Sequence, residues 1–180
     1  RKVKIMIIKK TKFKNTFVIE HEKKNDKRGF FTRGFCNKLF TKAKINFKIK
    51  QTNFSFNKKK LTLRGFHFQK PPFSENKIIT CVKGKLLLVI ININKQSQNY
   101  LKHIKINLSD NINKSVLISK DCATAFLTLE PETLVLYYMS ANYKKNQGRG
   151  IRYNDPKLNI KWPNKPKIIS DRDSTFENIH

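Results

Sequence analysis

Cysteine is scarce. Cys36, Cys81 and Cys122 are odd in number, and no two are spaced as CxxC. That excludes a disulfide framework and a zinc knuckle. Cys81, within IITCV, reads as a small hydrophobe in a strand core. Long apolar runs are missing too: no stretch reaches the roughly 20 residues that span a bilayer. The opening RKVKIMIIKK is basic, but its apolar part is too short for a signal peptide and no small-residue cleavage site follows. A cytoplasmic protein without a membrane partner is expected. No linker, repeat or low-complexity segment divides the chain, so residues 1–180 are expected to form a single domain. Acidic side chains are also few, 12 Asp+Glu against 39 Lys+Arg, for a formal net charge of +27. Such a charge suggests a polyanion partner. The lysines are spread along the whole chain beside many Asn, Ile and Phe, a joint bias that AT-rich codons impose, and no dense basic block stands out. Nucleic acid is therefore not the expected partner, although a positive surface attracts anionic substrates.

What is present argues for a packed β structure. The chain is 38% hydrophobic and 11% aromatic, with 14 Phe, which is incompatible with disorder throughout. Short β-branched or aromatic runs bounded by turn residues predict strands at 15–21, 47–53, 61–69, 77–83, 85–93, 101–108, 115–119, 125–129 and 133–140. One helix is predicted at 36–43. Many short strands at this spacing make a sandwich, jelly roll or barrel. Lys83-Gly84-Lys85 reads as a tight hairpin in which Gly84 supplies a positive φ. The nearly continuous apolar run from Val82 to Ile93 predicts a strand buried on both faces. Beyond residue 144, strands thin out and prolines appear, as in a tail that wraps a barrel.

The strongest chemical signal is TLRGFHFQKPP, residues 62–72. Strand alternation puts Gly65, His67 and Gln69 on one face and Arg64, Phe66 and Phe68 on the other. His67 is either a core histidine with one hydrogen bond or an imidazole lining a cavity that Gly65 leaves open. A metal site is not expected, because His-x-His is broken by Gln69 and His21, His103 and His180 have no ligand spacing. Asp171 and Asp173 in SDRD are either a solvated turn or a carboxylate set against a ring nitrogen of His67. Tyr137, Tyr138 and Tyr143 follow in LEPETLVLYYMSANY, each either a proton donor in a pocket or half-buried core with its hydroxyl at the rim.

Taken together, DKRGFF (26–31), QTN (51–53), TLRGFHFQKPP (62–72), Lys77 in ENKIITCVKG, CATAFLTLEPET (122–133), YNDP (153–156), IKWP (160–163) and SDRD (170–173) resemble the dTDP-4-dehydrorhamnose 3,5-epimerases in order and spacing. The resemblance runs from about residue 15 to 175. It implies an all-β, cupin-type jelly-roll barrel with a few short helices, and a homodimer with an N-terminal strand near the partner's site. It implies a cofactor-independent isomerase acting on a nucleotide-linked 4-keto-6-deoxyhexose. His67 would be the base, Tyr138 the proton donor on the opposite face of the sugar, Lys77 the cation at the enolate oxygen and Asp173 the partner of His67. Arg28 and Arg64 would contact the diphosphate, Gln51 and Asn53 would lie near the nucleoside or phosphates, and Phe31 or Tyr143 would stack on the base. Arg172 and Thr124 complete the implied substrate-binding set. The chemistry is consistent: hydrogens at C3 and C5 are α to the C4 ketone, a neutral imidazole is a suitable base, and a cation stabilises the developing oxyanion.

The chain also departs from the pattern. Where the family reads Ala-His-Gly-Phe, this chain has Ala123-Thr124-Ala125-Phe126, and Arg33 stands where an acidic residue is usual. A second usual acid falls on Gly148 or Arg149. Base, acid and lysine remain, so an altered substrate or inversion at a single carbon is expected rather than loss of activity.

Overall fold

The computed structural model describes residues 6–179. In chain order it contains β1 (Met6–Lys10), β2 (Phe17–His21), β3 (Lys23–Asp26), β4 (Gly29–Thr32), α1 (Asn37–Lys42), β5 (Gln51–Asn57), β6 (Leu63–Gln69), β7 (Lys77–Lys83) and β8 (Lys85–Asn92). Then follow β9 (His103–Ser109), β10 (Lys114–Ile118), β11 (Cys122–Thr128), β12 (Thr133–Met139), β13 (Gly148–Gly150), a 3-10 turn (Pro156–Leu158) and α2 (Asp171–Ser174). Two antiparallel sheets, ordered β1-β2-β10-β7-β12-β5 and β13-β6-β11-β8-β9, face each other as a jelly roll. β3 and β4 form a separate hairpin. No helix among the described residues is long and apolar enough to cross a membrane.

The predicted β8 is buried on both faces, and the reason is visible in its neighbours. Leu86, Leu88 and Ile90 pack between the sheets with Ile79, Val116, Phe126 and Val135. Leu87, Val89 and Ile91 pack outward with Phe66, Ile151 and Leu158, beneath Tyr153, Ile160 and Trp162 of the tail. Each such side chain, fully buried, contributes on the order of 1.5–3 kcal/mol. The run is interrupted only at the β7–β8 turn, where Val82 is 44% exposed and Gly84 has φ of 81°. The tail wraps the barrel as expected and bridges back to it at Thr62–Ile168.

Two differences from the sequence reading matter. The strand expected at 47–53 runs instead over Gln51–Asn57. Phe47 leaves the ladder to pack with Phe40 of α1, Ile19 and Ile78, and pairing with β12 begins only at Gln51–Met139. The β3–β4 hairpin is absent from the sequence reading, because its KKND and GFFT segments carry no two-residue alternation of apolar side chains.

Candidate functional site

One end of the barrel opens into a cavity of about 460 Å³. The six-stranded sheet lines it with Gln51 and Asn53 of β5, Lys77 of β7, and Tyr137 and Met139 of β12. The register explains the grouping: Tyr137 pairs with Asn53 on one side and Ile79 on the other, and Met139 pairs with Gln51 and Lys77. The five-stranded sheet supplies Arg64, His67 and Gln69 of β6 and Thr124 of β11.

Strand parity would have put Arg64 and His67 on opposite faces. They share the cavity because β6 is bulged. Thr124 pairs with His67 and Phe126 with Arg64, so β6 takes three steps where β11 takes two. Gly65 sits at this point with φ of 116°, and a Cβ there would strike the Thr124 carbonyl and Ala125. Phe66 consequently turns outward, fully buried against Trp162. Arg64 is fixed by Nε donating to Asn57 Oδ1 at 2.8 Å.

His67 Nε2 is 2.7 Å from Asp173 Oδ1. Asp173 Oδ2 accepts the Gly65 amide at 2.9 Å, and Asp173 is 3% exposed. α2 presents it: Ser170 caps the helix by accepting the Asp173 amide. Burial alone would raise the Asp173 pKa, yet the hydrogen bond and charge of His67, the Gly65 amide and Ser170 hold it below the usual carboxylate value. An ionised Asp173 makes Nε2 the protonated nitrogen and leaves Nδ1 as the basic one. Phe176 packs against the imidazole edge at 6.0 Å between centroids. The alternative of a simple core histidine is thereby set aside, since the His67 side chain is 42% exposed in the cavity wall.

Lys77 is 5% exposed and forms a 3.0 Å ion pair with Glu75, which in turn accepts from Gln69 Nε2 at 2.8 Å. Arg64, Arg149 and Arg172 also line the cavity. Among the described residues none of these three has a carboxylate within ion-pair distance. The cavity thus carries unneutralised positive charge and suits an anion. No cluster of metal-ligating side chains occurs among the described residues. Burial pushes the Cys81 and Cys122 thiols up to about 12, which leaves them inert.

The expected tyrosine is corrected. Tyr138 points to the other face of β12, where it packs with Phe35, Ile78 and Phe40 beneath α1. Tyr137 is the tyrosine of β12 that lines the cavity. Desolvation raises its pKa, against a lowering by the Arg64 charge, so the hydroxyl keeps its proton at neutral pH. Both faces of β12 are apolar in sequence, so parity alone could not choose between the two; the pairing of Lys77 with Met139 chooses. Arg28 and Phe31 lie on the β3–β4 hairpin outside this cavity, Arg28 paired to Asp26 at 2.6 Å and Phe31 68% exposed. Thr124 and Arg172 line the cavity, as does Tyr143, which is 58% exposed at its mouth. Sequence reasoning does not find Glu75, and it meets Arg149 only as one of two positions, with Gly148, where a usual acid is replaced. Glu75 lies two residues before Lys77, the same-face spacing of an extended chain, and that is the signal that could have found it.

An imidazole backed by a carboxylate, a protonated phenol and an ammonium around one cavity in a jelly roll define an isomerase-type site, able to move a proton on and off carbon beside a carbonyl. Sequence comparison gives the particular family. Residues 10–180 match the dTDP-4-dehydrorhamnose 3,5-epimerase family, and the chain belongs to it. It is 33% identical over 171 residues to the dTDP-4-dehydrorhamnose 3,5-epimerase of Shigella flexneri, covering 93% of each chain. Its fold superimposes with a TM-score of 0.94 and 30% identity on the Bacillus anthracis enzyme solved with TDP and PPi bound, covering 97% of this chain and 99% of that one. The Legionella pneumophila dTDP-6-deoxy-D-glucose-3,5-epimerase in complex with dTDP-4-keto-L-rhamnose gives a TM-score of 0.90 at 27% identity, covering 96% and 92%.

Proposed function

We propose that this epimerase inverts C3, C5 or both in a nucleotide-linked 4-keto-6-deoxyhexose without a cofactor. The observation that carries the reading is the placement of His67, backed by Asp173, with Lys77 and Tyr137 around one cavity. His67 Nδ1 takes the proton from the carbon next to the ketone, and the electron pair moves onto O4 as an enolate. The Lys77 ammonium lies against that oxygen and stabilises the charge. Tyr137 gives its hydroxyl proton to the opposite face of the carbon, and solvent then restores both groups. Asp173 fixes the His67 tautomer and favours the imidazolium as it forms. Arg64 and Arg172 contact the diphosphate, Asn53 lies near the nucleoside or phosphates, and Thr124 donates to a sugar hydroxyl.

Incubating the protein in deuterium oxide with a dTDP-linked 4-keto-6-deoxyglucose and reading C3 and C5 by NMR tests this. Deuterium at one or both carbons, with inversion, is expected. Exchange at neither carbon with any of several nucleotide sugars would leave a binding protein.

The reading includes a homodimer. β5 is an edge strand whose outward Phe54 and Phe56 are 69% and 54% exposed, and the hairpin carries Phe30 at 58% beside Phe31. Apolar surface of this kind marks a protein–protein contact. In a two-fold dimer Arg28 and Phe31 enter the partner's cavity, Arg28 for the diphosphate and Phe31, with Tyr143, for the base. Mixing inactive His67→Asn protein with an inactive Arg28→Ala/Phe31→Ala double variant, under conditions that allow subunit exchange, is expected to restore activity to about a quarter of the sites. No recovery despite proven subunit exchange would mean that the hairpin does not serve the partner.

A further inference from the structure

β13 places Gly150 directly opposite His67 on the neighbouring strand. A side chain there would stand beside the imidazole on the same face of the sheet. Gly150 has none, and the slot is filled from elsewhere in the chain: a Cβ at Gly150 would strike the ring of Phe176. Phe176 thus serves as the cross-strand neighbour that His67 lacks, its ring edge-on to the imidazole at 6.0 Å and 81°. On another side it meets Arg172, whose guanidinium carbon lies 5.8 Å from the ring centroid. The chain holds Phe176 from both directions. Before it, α2 sets Asp173 against His67 Nε2. After it, the Arg152 amide donates to the Glu177 carbonyl, and the Ile179 amide donates to Asp155 Oδ2. Asp155 is 2% exposed, and its Oδ1 accepts the Lys157 amide at 2.8 Å. Ile179 packs into the outer apolar cluster with Ile151, Leu158 and Trp162. The YNDP and IKWP motifs, which the proton transfers do not use, thereby supply the dock for the segment that carries Phe176.

We propose that Phe176 is a positioning residue for His67, and that residues 174–179 are a strap which Asp155 holds against the site. One hydrogen bond to Asp173 fixes a single nitrogen and leaves the ring free to rock, because the torsion that turns an imidazole has broad wells. The Phe176 ring closes off that motion and keeps Nδ1 aimed into the cavity. It also shields the bond from Nε2–H to Asp173, so water does not compete for either partner. Ordering an irregular segment costs conformational entropy. The buried Asp155 carboxylate offsets that cost with a bond aimed at Ile179, three residues beyond the ring it secures. The effect on proton abstraction rests on the epimerase reading; the clamping of the imidazole does not.

The test combines kcat for deuterium exchange, calorimetric affinity for thymidine diphosphate and NMR of the His67 ring. Phe176→Ala is expected to lower kcat about tenfold or more while affinity stays within about twofold of wild type. Phe176→Leu, which refills part of the slot, should recover most of the lost kcat. Gly150→Ala puts a methyl group where the ring lies and should lower kcat in the same way, yet cost nothing further in a Phe176→Ala background. Asp155→Asn has one carbonyl for two amides, so the strap loosens and kcat should fall severalfold. The downfield Nε2–H proton of His67, assigned by its absence in His67→Asn, should exchange with water about tenfold faster in Phe176→Ala. Wild-type kcat in Phe176→Ala, or a loss confined to affinity, would overturn the positioning role. Additive losses in the Gly150→Ala/Phe176→Ala protein would overturn the shared slot, and wild-type kcat in Asp155→Asn would overturn the strap. An unchanged Nε2–H exchange rate would overturn the clamp. A wild-type protein that exchanges no deuterium would overturn the epimerase reading instead, and the NMR result, which needs no turnover, would stand by itself.

Discussion

His67→Asn is expected to abolish deuterium incorporation at both carbons while leaving a folded protein that still binds nucleotide. A positioned general base contributes about 10²–10⁴-fold, and no second group in the cavity can substitute. Lys77 is an ion-paired ammonium against Glu75, and Glu75 is itself taken up by Lys77 and Gln69. Asp173 is buried and already accepts the Gly65 amide. Fold retention follows from the surroundings. The His67 side chain is 42% exposed, and the apolar clusters of the barrel do not include it. Asparagine keeps an N–H that can point toward Asp173, so the carboxylate is not left facing an apolar side chain. Far-UV circular dichroism and thymidine diphosphate binding should match wild type, while the NMR signals of H3 and H5 persist over many wild-type turnover times. Exchange surviving at either carbon would place the base elsewhere in the cavity.

The residues that are legible from sequence share a property: their position follows from neighbours along the chain. β8 is readable because both of its faces are apolar, and the Gly84 turn because its backbone requires a positive φ. His67 stands out through its motif, and Asp173 because SDRD gathers acids in a chain that has few. The residues that sequence misplaces depend on contacts between distant segments. Arg64 joins His67 only because β6 gains a residue against β11, a bulge set by Gly65 lying on the Thr124 carbonyl. β5 inverts the usual pattern, with Gln51 and Asn53 facing the cavity and Phe54 and Phe56 exposed. An alternation rule that sends apolar side chains inward therefore reads that strand backwards. Arg28 and Phe31 stand away from the cavity of their own chain, and where such groups reach is a property of an assembly, not of one chain's pattern.

Tyr137 and Tyr138 give the sharpest discrimination, because neighbouring residues on one strand face opposite ways. Tyr137→Phe is expected to lower the yield of inverted sugar by about 10²–10⁴-fold, yet to retain deuterium wash-in at the carbon that His67 serves. The base exchanges its proton with solvent and returns it to the face it came from, so label enters without change of configuration. In the proposed mechanism enolate formation needs only His67 and Lys77, and neither is hydrogen-bonded to the Tyr137 hydroxyl. Loss of the hydroxyl removes the proposed donor on the far side, a phenol whose pKa desolvation raises further above neutrality. Tyr138→Phe should leave inversion within about twofold of wild type, since its ring sits with Phe35 and Ile78 under α1, and an isosteric change of this kind in an apolar cluster is expected to alter stability by about 1 kcal/mol or less. The opposite pattern, with inversion lost in Tyr138→Phe and kept in Tyr137→Phe, would require β12 to be shifted by one residue against β7. That shift would also carry Met139 away from Lys77 and turn the cavity face of the strand toward α1. The two variants therefore test the register of the sheet and the identity of the acid in one measurement.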